Sequence, residues 1–96
     1  MLIDGAEFED FFETEAGPVR VQSKVLVRGT TIVFEGLTLY PLTGSFLPIG
    51  AGVVFRIFRS LMDEAREQGF ARCSVVAFRT GGARPGRMIT VTRRLV

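Results

Sequence analysis

Histidine and tryptophan are missing from this 96-residue chain, cysteine occurs once, and lysine accounts for only one of its twelve basic residues. The lack of histidine removes the side chain most often used for acid–base work near neutral pH, and with it the usual zinc ligand sets. The lone Cys73 cannot close an internal disulfide, and its apolar strand neighbours Val75 and Ala77 suit a small buried hydrophobe better than an activated nucleophile. No metal site and no cofactor is expected. Gly50-Ala51-Gly52 lacks the remainder of any dinucleotide or phosphate-loop fingerprint.

Long apolar runs are also missing. Charges or turn residues interrupt each hydrophobic stretch short of the roughly 18 residues that a spanning helix needs, so no membrane span is expected. The opening Met1 to Glu7 has neither a basic stretch nor an apolar one, and no secretory signal is read within it. The expectation is one soluble, cytoplasmic domain over residues 1–96, since this length and 47% apolar content with nine Phe suffice for a single core.

What is present is charge of unequal distribution. Residues 1–15 hold six acids (Asp4, Glu7, Glu9, Asp10, Glu13, Glu15) and no base, while the rest of the chain holds all twelve bases against four acids. Eleven of those bases are Arg, whose planar fork suits bidentate contacts to phosphate or carboxylate. From Phe70 onward there are six Arg and no acid. That segment is the electrostatic centre of the chain.

Phe8, Phe11 and Phe12 recur at helical spacing, and Asp4 with Glu7 has the spacing of a capping box, which predicts a short helix over 4–15. Val19, Val21, Ser23, Val25 and Val27 then alternate with Arg20, Gln22, Lys24, Leu26 and Arg28, a half-buried strand. A second strand over 31–40 changes its apolar phase between Phe34 and Leu37, and Gly36 at the change predicts a bulge. After a Pro- and Gly-bearing loop comes the main helix, with Val54, Phe58, Leu61 and Ala65 as core stripe, Phe55, Ile57 and Met62 beside it, and Gly69 as its stop. Two more strands, 71–79 and 87–95, complete an α+β fold. The expected order is ββαββ after the N-terminal helix, giving a mainly antiparallel four-stranded sheet with one long helix packed on one face.

The last hairpin carries the candidate chemistry. Gly81 and Gly82 can present backbone N–H groups to an anion, and Arg79, Arg84, Arg87 and Arg93 can add charge-assisted bonds to phosphate. The same residues also suit a solvated hairpin on a sheet edge. Metal-independent cleavage of RNA needs a proton acceptor, a proton donor and cations for the developing charge. Glu35, Tyr40 and Lys24 are the acid–base candidates, Lys24 doubling as a phosphate contact. Arg79, Arg84 and Arg87 would stabilise the transition state.

From residue 36 onward a family resemblance appears. The strand end Gly36-Leu37-Thr38-Leu39-Tyr40-Pro41, the helix end Glu64-Ala65-Arg66-Glu67-Gln68-Gly69-Phe70 and the hairpin Arg79-Thr80-Gly81-Gly82-Ala83-Arg84-Pro85-Gly86-Arg87 together resemble C-terminal toxin domains of bacterial polymorphic toxin systems, in the barnase and RelE-like ribonuclease group. Arg79, Pro85, Gly86 and Arg87 match that hairpin, while Arg84 stands where the family usually has Asn. The resemblance implies an RNA-directed toxin domain, delivered from a larger secreted precursor to act in a target cell's cytoplasm and held in check by an immunity partner. The alternative is a non-enzymatic binding or assembly module whose Arg hairpin meets an acidic protein or a second copy of the chain, as in a homodimer.

Overall fold

The alternation from Val19 to Arg28 becomes the hub of a sheet. A computed structural model of the protein describes residues 2–14, 17–41, 51–78 and 88–96. Among these, five strands and one helix follow in the order β1 (Glu7–Thr14), β2 (Gly17–Arg28), β3 (Thr31–Pro41), α1 (Ala51–Glu67), β4 (Arg72–Phe78) and β5 (Met88–Arg94). They make one sheet in the order β1-β2-β3-β4-β5, antiparallel at each step except β3 against β4, which run parallel because α1 carries the chain back between them.

The fold is α+β, with two corrections to the expected architecture. The N-terminal segment is strand and not helix, and the sheet has five strands of mixed direction where four mainly antiparallel ones were expected. Phe8 and Phe12 satisfy a period of two as well as a period of four. The whole of β1 pairs with β2, from Glu7 opposite Lys24 to Thr14 opposite Gly17, and those ladder bonds outweigh a helix too short to stand alone in water. Phe8 and Phe12 pack on the core while Phe11 points the other way, 57% exposed. Asp4 does not cap a helix; its Oδ1 accepts from the Val27 N–H at 2.8 Å and from Arg28 Nη1 at 3.4 Å, tying the N-terminal segment to the end of β2.

The bulge falls where the phase change put it. Gln22 pairs with Thr38 but Lys24 with Glu35, so β3 carries one residue more than β2 there, and Gly36 adopts φ +65°. The extra residue lets Ile32 and Phe34 before it, and Leu37 and Leu39 after it, all face α1. Phe34 is fully buried and meets the Phe8 ring edge-on at a centroid distance of 5.4 Å.

α1 buries Ile57, Phe58, Leu61 and Ala65 against Val21, Val25, Ile32, Cys73 and Val75 of the sheet. Its end is a Schellman motif: Gly69 N–H donates to Arg66 O and Phe70 N–H to Ala65 O, with Gly69 at φ +89° and Phe70 packed on the core. Gln68 just beyond accepts from Leu2 N–H at 2.7 Å, which holds Leu2 in the core. No helix of the described residues is long and apolar enough to cross a membrane.

Candidate functional site

The helix covers one face of the sheet, so residues sort by parity into a covered face and an open one. This sorting separates the sequence-predicted site residues. Arg79, Gly81, Gly82, Arg84 and Arg87 lie outside the described residues. Lys24 and Tyr40 stand on the open face, whereas Arg93 lies on the helix side of β5, in register with the buried Cys73.

Lys24 sits in register between Glu7 of β1 and Glu35 of β3, beside an open hollow of 520 Å³ at the bulge that Gln22, Ser23, Gly36 and Thr38 also line. Two carboxylates against one ammonium give that hollow no attraction for an anion. Gln22 is already engaged, donating from Nε2 to Glu9 Oε2 at 2.9 Å. Two positions along the strand, Phe11, Arg20 and Tyr40 form a row across β1, β2 and β3. The Arg20 guanidinium carbon lies 4.9 Å from the Tyr40 ring centroid, and Arg20 Nε is buried without a hydrogen-bond partner among the described residues.

Among the described residues, the strongest concentration of positive charge is elsewhere. α1 and β5 enclose a cleft of 720 Å³ lined by Arg56, Arg59 and Arg66 from the helix and Arg93 and Arg94 from the strand, with Asp63 as its one carboxylate. Amphipathicity produces it. The stripe that buries Ile57, Phe58 and Leu61 turns the intervening Arg56 and Arg59 outward, and β5 as an edge strand leaves its far flank open.

Arg66 is fixed in this cleft: Nε donates to Leu95 O at 3.2 Å and Nη1 lies 3.5 Å from Asp63 Oδ1. It engages the one carboxylate among the described lining residues and ties the end of α1 to the end of β5. Arg93 donates to the neighbouring Thr92 carbonyl at 3.0 Å. Arg56, Arg59 and Arg94 make no hydrogen bond or ion pair among the described residues. Arg94 also stands directly opposite the exposed Arg72 across β4 and β5, a like-charge pair that an anion would relieve.

An aromatic completes the cleft. Phe55 is 66% exposed at its rim, although the sequence placed it beside the core stripe. Four of these residues carry a helical signal that the apolar stripe masked: Phe55, Arg59, Met62 and Arg66 recur at i, i+4, i+7 and i+11. Arg94 carried none beyond its charge. Cys73 is fully buried, and loss of hydration pushes its thiol pKa up to about 11, as an unreactive core residue requires.

Chemically, the arrangement can hold a chain of phosphates along the cleft while an unpaired base rests on Phe55. No three His, Cys, Asp or Glu side chains come together among the described residues. No protein-family model, no curated protein and no solved structure matches the chain.

Proposed function

We propose that this domain is directed at RNA, in the manner of a toxin domain, and grips the phosphate backbone along the cleft between α1 and β5. One observation carries the reading: Arg56, Arg59 and Arg93 line the cleft with the exposed Phe55, Arg94 borders it from the open side of β5, and the one carboxylate among its described lining residues already belongs to Arg66. Guanidinium groups without carboxylate partners are held at a cost in mutual repulsion that a polyanion removes. Stacking on Phe55 selects strands with unpaired bases over duplexes.

Hydrolysis, where it occurs, is metal-independent and draws on Tyr40 and on Arg79, Arg84 and Arg87, with Gly81 and Gly82 as further phosphate contacts. The resemblance of residues 36–96 to polymorphic toxin domains supports this part of the reading. It also supports an acidic immunity protein that covers the same arginines, and action in a cytoplasm after delivery from a larger precursor.

Fluorescence anisotropy with labelled single-stranded RNA tests the grip. Binding weakens linearly in log salt, and the Arg56→Ala plus Arg59→Ala double variant binds about tenfold or more weakly, with a slope shallower by about 1.4. Unchanged affinity in that variant would overturn the cleft assignment. Gel analysis of the same RNA incubated with a chelator reads out cleavage separately.

A further inference from the structure

The two free edges of the sheet carry opposite charge, and we propose that they pair: β1 of one copy adds to β5 of the next, extending the sheet head to tail. β1 presents Glu7, Glu9, Asp10 and Glu13 and no base, while β5 presents Arg93 and Arg94 and no acid. Among the described residues, both are edge strands with a ladder partner on one side only. An unpaired strand edge is a template for another strand, and opposite charge decides which.

One register sets both arginines opposite acids and both inward Phe rings opposite apolar residues. Set antiparallel with Asp10 opposite Arg93, Glu9 falls opposite Arg94, Phe12 opposite Val91 and Phe8 opposite Leu95. The parity agrees. Asp10, Phe8 and Phe12 occupy the helix side of β1, as Arg93 and Val91 do of β5, and Glu9 shares the open side with Arg94. Moving the pairing by one residue sets residues of the helix side against residues of the open side, with Phe12 opposite Thr90 or Thr92 and Phe8 opposite Arg94 or Val96.

Strand direction makes the contact heterologous. β1 and β5 run antiparallel within the sheet, through the sequence of steps β1 to β5, so an antiparallel addition leaves the second copy in the same orientation as the first, with α1 on the same face. The new copy offers its own β5, and growth has no fixed end. The inference goes beyond RNA binding but shares two of its residues: a strand seated on β5 occupies Arg93 and Arg94.

Sedimentation velocity on the 96-residue chain tests it. The wild type gains mass with concentration at low salt and loses it at high salt. Glu9→Arg with Asp10→Arg, and Arg93→Glu with Arg94→Glu, are each monomeric, and an equimolar mixture of the two variants regains the wild-type mass distribution because the charges are exchanged and not removed. A wild type that stays monomeric throughout, or a mixture that stays monomeric, overturns the proposal. The first variant retains Arg56, Arg59, Arg93 and Arg94 and so still binds RNA when it is monomeric, so failure of assembly and failure of RNA binding are read apart.

Discussion

Arg20 and Tyr40 face each other across β2 and β3 with the guanidinium 4.9 Å from the ring centroid, and Phe11 completes the row on the far side of Arg20. The ring is held by this contact at the end of β3. Tyr40→Phe keeps the face of the ring and removes only the hydroxyl, so thermal stability is expected within about 0.5 kcal/mol of the wild type. If the hydroxyl donates or accepts a proton in RNA cleavage, the same variant loses turnover while RNA affinity stays; equal cleavage by the two proteins removes Tyr40 from the chemistry.

Gly36 at φ +65° has open space where a Cβ would sit, so a substitution there meets no neighbour and is opposed by backbone conformation alone. Gly36→Ala is expected to cost about 1–2 kcal/mol in denaturant unfolding. A neutral result would mean that the bulge relocates.

Ser23, opposite the bulge, is 3% exposed and its Oγ has no hydrogen-bond partner among the described residues. Ser23→Ala removes that unsatisfied hydroxyl at little cost in packing, and is expected to raise stability by about 1 kcal/mol. A loss of stability would show that the hydroxyl is satisfied.

Burial at Cys73 sets a pH dependence with a definite sign. The thiol ionises at about 11 in the folded chain against 9.0 when exposed, so its contribution is intact below pH 9 and is lost as pH rises toward 11. Unfolding free energy should fall by about 2–3 kcal/mol across that interval, and Cys73→Ala should flatten that part of the curve. Thiol reagents should modify Cys73 only after unfolding.

The residues that alternate cleanly were readable in advance. β2 from Val19 to Arg28 shows period two without ambiguity, the phase change at Gly36 announced its bulge, and Gly69 announced the stop of α1. β1 was not readable, because Phe8, Phe11 and Phe12 fit a helix stripe locally and only pairing with β2 distinguishes the two; long-range hydrogen bonds leave no local mark. The cleft was half readable. Its charge stood out in the sequence, which centred it on the hairpin from Arg79 to Arg94, but the contribution of Arg56 and Arg59 follows from the crossover that lays α1 beside β5, a tertiary fact.

The parallel step between β3 and β4 also orders the folding of the molecule. β1, β2 and β3 can zip through short turns, whereas β4 can join β3 only after the chain has passed through α1, a closure of larger loop entropy. Stopped-flow unfolding should therefore show substitutions in β5 accelerating unfolding while leaving the refolding rate nearly unchanged, and substitutions in β2 slowing refolding. A chain in transit, with its meander formed and β4 still free, carries the acidic half of its charge in place and has no basic cleft. If the cleft grips RNA as proposed, that grip switches on with the last strand.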